Sequence, residues 1–142
     1  MRTNCLIKRW ALNILLVEDD IILAESTACL IKRIGGHQVY ITDEPTEVFR
    51  YCQSGIIDIV MMDVHLPAAE WQSEFVNGAD LSRLLKTESE TAHIPIVLVT
   101  AYALANEQQK LLEISKADGL YAKPIIDFKA FLEMLVKLGN KR

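Results

Sequence analysis

Short apolar runs that stop abruptly at polar residues alternate along this chain with stretches whose apolar residues recur at helical spacing. Asn13–Val17 is rich in branched side chains and ends in Glu18, Asp19 and Asp20, the pattern of a strand buried on both faces. Over 21–34, Ile21, Ala24, Ala28, Ile31 and Ile34 predict a helix, and Gly35-Gly36 supplies its stop. The alternation continues with a strand over 38–42, a helix over 44–53 that breaks at Ser54-Gly55, and an apolar strand over 57–62 that runs into Asp63. An irregular stretch follows, then a helix over 79–86, a strand over 94–99, a helix over 104–116, a short strand over 120–122 and a helix over 127–138. Strands alternating with helices predict an α/β fold, a parallel sheet covered on both faces, because right-handed crossovers carry each helix to one side or the other. We expect one domain over 13–139, flanked by an extension over 1–12 and a tail over 140–142.

Composition narrows the function classes. A chain of 142 residues, 51% hydrophobic and 24% charged, can bury a real core and is not a disordered polymer. Its 15 Lys and Arg against 19 Asp and Glu give a net charge of −4, which argues against bulk binding of nucleic acid or anionic membrane. Cys5, Cys29 and Cys52 are odd in number and lack CxxC spacing, so neither a disulfide framework nor a zinc site is expected, and the thiols read as buried small hydrophobes. The first 17 residues are apolar in part but interrupted by Lys8 and Arg9, which fits neither a membrane span nor a signal peptide. A cytoplasmic protein is expected.

In open parallel sheets ligands bind beyond the carboxyl ends of the strands. Four of those ends are polar here: the first at Glu18, Asp19 and Asp20, the third at Asp63, the fourth at Thr100 and the fifth at Lys123, followed by Pro124. If the first and third strands are neighbours, Glu18, Asp19 and Asp63 crowd one crevice, and a divalent cation relieves their repulsion. Hard oxygen ligands with room for water and a phosphate oxygen suit Mg²⁺. Lys123 and the Thr100 hydroxyl would then face the remaining oxygens of an anion. Taken singly, each has a plainer reading: Asp19 or Asp20 as a helix cap, Asp63 as a turn residue, Thr100 as a cap, Lys123 as a solvated charge. Coincidence at the same end of four strands is improbable, which favours one shared site.

Four stretches carry a family resemblance: Leu15 to Asp20 (LLVEDD), Val60 to Pro67 (VMMDVHLP), Val97 to Ala101 (VLVTA) and Tyr121 to Ile125 (YAKPI). In this order, at these strand ends, the sequence resembles the receiver domain of two-component response regulators. The resemblance implies a flavodoxin-like, doubly wound five-stranded parallel sheet of order 2-1-3-4-5 with helices on both faces. It implies that Asp63 accepts a phosphoryl group from a phosphohistidine on a sensor histidine kinase or phosphotransfer protein. Glu18, Asp19, Asp63 and the backbone carbonyl of His65 would hold Mg²⁺, Lys123 would pair with the phosphoryl group and Thr100 would hydrogen-bond it. The Lys123–Pro124 bond would be cis. Asp20 reads as the cap of the first helix. Phosphoryl transfer needs a nucleophile in line and neutralised equatorial oxygens, and Asp63, the one carboxylate that ends a strand alone, fits the nucleophile.

Three features depart from the family pattern. The ten residues 68–77 separate Pro67 from Gly78, where the family has three, so this loop is expanded by about seven. Within it Trp71 and Phe75, four apart, predict an amphipathic turn that packs on the domain or docks a partner. The family's switch aromatic lies three residues before the lysine, where this chain has Leu120, with Tyr121 one residue later. Either the aromatic coupling is absent, or the strand is bulged and Tyr121 substitutes. Finally, His65 and Tyr102, each two residues beyond a site residue, predict slow self-dephosphorylation by shielding the phosphoryl group from water. His37 and His93 read as ordinary loop residues.

Two other classes compete. Aspartate-nucleophile phosphatases of the haloacid dehalogenase type use Asp, Mg²⁺ and Lys but carry a D-x-D motif, which neither Glu18-Asp19-Asp20 nor Asp63-Val64-His65 provides. A flavin binder would meet repulsive acids in place of an anion-binding loop, and no P-loop or G-x-G-x-x-G is present. Within the receiver reading, the absence of an output segment after Leu138 favours a stand-alone phosphorelay or signalling protein over a receiver excised from a larger regulator or hybrid kinase. Its partners would be the kinase or phosphotransfer protein and a downstream protein target, with no nucleic acid or membrane, and transient homodimers would form through the fourth helix, fifth strand and fifth helix.

Overall fold

The computed structural model describes residues 11–101 and 104–140. In chain order they form β1 (Asn13–Val17), α1 (Ile21–Gly35), β2 (Gln38–Thr42), α2 (Pro45–Gln53), β3 (Ile59–Asp63), β4 (Glu70–Trp71), β5 (Glu74–Phe75), α3 (Gly78–Thr87), β6 (Ile96–Thr100), α4 (Ala105–Ser115), β7 (Gly119–Ala122) and α5 (Phe128–Gly139). The main sheet is parallel, in the order β2-β1-β3-β6-β7, which is the expected doubly wound topology. Alternate side chains of each central strand enter opposite cores. Leu15, Val17, Val60, Met62 and Leu98 pack with Val48 and Phe49 of α2 and Leu81 and Leu85 of α3. Ile14, Leu16, Ile59, Met61, Val97 and Val99 pack with Ala24 and Ile31 of α1 and Phe131, Leu132 and Leu135 of α5. Every residue of β3 and β6 is buried, which is why both read as unbroken apolar runs.

The third and fourth strands start two residues later than the apolar runs suggest. The Asp58 backbone N–H donates to the Asn13 carbonyl at 2.8 Å while its carboxylate accepts from the Asn13 N–H, also at 2.8 Å, so this stretch closes a side-chain clasp before pairing begins. Pro95 has no N–H to give a ladder, and pairing starts at Ile96. The C-terminal shift makes Asp63 and Thr100 the last residues of their strands. Helix starts move by a residue for similar local reasons: Pro45 occupies the first turn of α2 behind Glu44, and Asn77 caps α3 through a reciprocal pair with Asp80, at 2.9 Å in both directions.

The expanded loop is a hairpin and not an amphipathic turn. β4 and β5 pair antiparallel, Glu70 with Phe75 and Trp71 with Glu74, through a two-residue turn in which Gln72 and Ser73 both have positive φ, 52° and 68°. This register puts Trp71 and Phe75 on opposite faces: Trp71 stacks on Phe49 at 4.3 Å, and Phe75 is 76% exposed. In β7 the ladder is regular, so no bulge turns Tyr121 over. Leu120 packs toward the α2–α3 core, and Tyr121 meets Phe131 of α5 edge-on at 4.9 Å.

Of the cysteines, Cys52 is buried, its thiol pushed up to about 12 by burial, whereas Cys29 is exposed on α1, against expectation, because its position faces away from the sheet. Cys5 lies outside the described residues. Among the described residues no helix is long and apolar enough to cross a membrane. His93 is exposed in a loop, but His37 is not an ordinary loop residue: it is buried, and its Nδ1 accepts the Leu12 N–H at 3.0 Å. Burial lowers its pKa below the usual 6.5. A base whose folded pKa is depressed contributes stability above its unfolded pKa and loses it as pH falls toward the folded one. Urea midpoints should therefore drop as pH falls from about 7 to about 5, and His37→Gln should flatten that segment of the curve.

Candidate functional site

The parallel register brings the carboxyl ends of β1, β3, β6 and β7 to one edge of the sheet, where a cleft of about 570 Å³ opens. All six residues singled out from the sequence, Glu18, Asp19, Asp63, His65, Thr100 and Lys123, line it. Glu18 is buried just past β1, where one carboxylate oxygen accepts the Asp20 N–H at 3.1 Å and the other accepts the Lys123 ammonium at 3.2 Å. Asp19 is exposed beside it. Asp20, also on the wall of the cleft, caps α1 by accepting the Leu23 N–H at 3.1 Å, as expected. Asp63 is buried, with Oδ2 3.3 Å from the Lys123 ammonium and Oδ1 accepting the His65 N–H at 3.3 Å.

Lys123 follows the edge strand, and its backbone N–H donates to the Thr100 carbonyl at 2.8 Å, which prolongs the β6–β7 pairing to the site. The Lys123–Pro124 bond is cis. Burial alone would lower the Lys123 pKa, but the charges of Asp63 and then Glu18, with their hydrogen bonds, outweigh it and hold the pKa above the ordinary lysine value. The ammonium is therefore a fixed positive charge at neutral pH.

Carboxylate oxygens of Glu18, Asp19 and Asp63 lie within 4.8 Å of one another. Three carboxylates and one ammonium leave a formal charge of −2, and the donors are all hard oxygens. That set fits a small divalent cation such as Mg²⁺ and does not fit a soft or imidazole-preferring metal.

Sequence reasoning did not include Asn77 and Leu23, which also line the cleft. Asn77 was legible as the start of an N-x-x-D capping box ahead of an apolar periodic run. Leu23 has no chemical signature and enters the site because α1 begins directly above it. Gly78 leaves no room for a side chain beside Asp63: its N–H donates to the Val64 carbonyl at 2.8 Å, and a Cβ there would fall 2.0 Å from the Asp63 carbonyl oxygen. Tyr102 lies outside the described residues. A second cavity of about 350 Å³ adjoins the cleft behind Glu18, Asp63 and Lys123, between α1 and the start of α5, with Leu16, Met61 and Val99 of the sheet among its walls.

Comparison with known proteins agrees with this geometry. Residues 14–135 match the response regulator receiver domain. The chain is 25% identical over 113 residues to the polar-differentiation response regulator DivK of Brucella ovis, covering 80% of this chain and 85% of that protein. The receiver domain of a signal transduction histidine kinase from Syntrophus aciditrophicus superposes with a TM-score of 0.74 at 27% identity, covering 93% of this chain and 94% of that one. A sensor histidine kinase receiver from Pseudomonas aeruginosa, solved with magnesium coordinated in its active-site cleft, shares the fold with a TM-score of 0.72 at 21% identity, over 89% of this chain and 98% of that one. This chain belongs to the response regulator receiver domain family of two-component signal transduction.

Because the Gly78 Cα sits against the Asp63 carbonyl, Gly78→Ala should destabilise the fold by about 1–3 kcal/mol. Urea unfolding measures that loss as a lower midpoint.

Proposed function

We propose that this chain is a phospho-accepting receiver that takes a phosphoryl group from a phosphohistidine onto Asp63 and signals by phosphorylation-dependent binding of partners. The observation that carries the reading is the Lys123 ammonium held 3.3 Å from Asp63 and 3.2 Å from Glu18 on the edge where Asp19 and Thr100 also converge. An Asp63 carboxylate oxygen forms the new O–P bond as the P–N bond to histidine breaks. Lys123 pairs with the transferred group, and the Thr100 hydroxyl hydrogen-bonds it. Glu18, Asp19, Asp63 and the backbone carbonyl of His65 would hold Mg²⁺, which when bound supplies neutralising charge to the phosphoryl oxygens. The protein is an acceptor that assists its own phosphorylation and dephosphorylation and has no separate substrate to turn over. The His65 side chain, at the cleft, slows attack by water.

The phosphodonor is a sensor histidine kinase or histidine phosphotransfer protein in the cytoplasm, and a downstream protein reads the modified state. Leu23, Leu30 and Ile34 of α1, exposed by 41%, 41% and 52%, share one flank of the helix beside the site, an apolar surface suited to a protein donor. Exposed Leu104, Ile114 and Ile126, by α4 and α5, support transient self-association at the α4–β7–α5 face.

With Mg²⁺ and acetyl phosphate, intact mass should show one phosphoryl adduct that requires the metal and disappears in Asp63→Asn. An unmodified wild type that still folds and binds Mg²⁺ would overturn the reading. Leu30→Glu should slow transfer from a protein donor by about tenfold while leaving the acetyl phosphate rate unchanged.

A further inference from the structure

We infer that Trp71 is a positioning residue for the phospho-acceptor site: stacked on Phe49, it fastens the β4–β5 hairpin and so holds the β3–α3 loop that carries Asp63, His65, Asn77 and Gly78. The role assigned to that site rests on the function proposed above. Asp63 and Gly78 are the ends of this loop, and the hairpin is its middle. Two paired residues per strand do not make an independently stable hairpin. Its turn is also unfavourable, since Gln72 and Ser73 both adopt left-handed backbone that favours glycine or asparagine. Something outside the hairpin must hold it. Phe75 points to solvent, so the inward-facing large side chain is Trp71, whose ring lies 4.3 Å from that of Phe49 at an interplanar angle of 24°.

From Trp71 to Asp63 the connection is continuous. The Val76 N–H donates to the Ala69 carbonyl at 3.0 Å and closes the neck of the hairpin. The Ala69 N–H donates to the Leu66 carbonyl at 3.2 Å, and Leu66, Ala69 and Val64 are buried in the same core as Phe49. The Gly78 N–H then bonds the Val64 carbonyl at 2.8 Å, directly against Asp63. With no space between Gly78 and the Asp63 backbone, displacement of the neck is passed to the carboxylate. The longer loop thus needs an anchor that a three-residue connection does not.

The test compares wild type, Trp71→Ala and Trp71→Phe in the full chain by amide hydrogen exchange, Mg²⁺ titration and acetyl phosphate labelling. Trp71→Ala should speed exchange at the Val76 and Gly78 amides by about tenfold or more while leaving Leu15 and Leu16 in β1 protected. It should weaken Mg²⁺ affinity and slow labelling by about tenfold, and Trp71→Phe should restore most of each. Unchanged protection at Val76 and Gly78 would sink the inference, as would a uniform rise that includes β1, which would mean global destabilisation. Rescue of Trp71→Ala by an Asn-Gly turn (Gln72→Asn with Ser73→Gly) would also overturn it, because turn stability and not the stacked ring would then be the anchor. Exchange reads the clamp even if wild type takes no phosphoryl group, a result that would count only against the proposed function.

Discussion

The ammonium of Lys123 is the interaction on which the site depends. Two buried carboxylates, Glu18 and Asp63, stand at the ends of neighbouring strands, and the cation between them offsets the repulsion of their like charges. Lys123 comes from the opposite edge of the sheet, beyond β6, so this one contact ties β1, β3 and β7 together at the end where the acidic cluster lies. Its backbone takes part as well, since the bond to the Thr100 carbonyl extends the β6–β7 ladder to the residue that must reach across. One charge only partly offsets three acids, and the surplus is what gives the edge its fit for a divalent cation.

The expanded loop shows how such an edge tolerates insertion. The hydrogen bond between Val64 and Gly78 closes the base of the expanded loop beside Asp63, and Trp71 stacks on Phe49 above it. The α3 N-terminus therefore returns to Asp63 even though the connection is several residues longer than the family pattern. The added segment forms a hairpin laid on α2, with one aromatic face committed to the domain and the other left to solvent.

The far side of the sheet is less tightly closed. Between α1 and the start of α5 lies the apolar cavity behind Lys123, and Phe128 at its edge meets Phe131, which in turn meets Tyr121. The aromatic side chain of β7 therefore belongs to the α5 face, while Leu120 occupies the side where the family's switch aromatic would stand.

Much of this was legible in the sequence. Strands buried on both faces must be apolar throughout, and helices packed on a sheet must repeat every three to four residues; both constraints are local, so the five strand–helix units and the polar groups at the strand ends could be read directly. Asp20 was legible as a cap in the same way, whereas the meeting of Glu18, Asp19, Asp63, Thr100 and Lys123 also required the strand order, which the family resemblance implied. What only the tertiary structure decided depends on contacts distant in sequence. The Asn13–Asp58 clasp shifted the start of β3, and the hairpin register put Trp71 and Phe75 on opposite faces although their spacing suits one side of a helix. His37 became a buried acceptor because the pairing of Gln38 with Leu12 carries its ring to the Leu12 N–H, 25 residues away in sequence. A side chain's period announces which element it joins, but the partner it meets is set by how the elements pack.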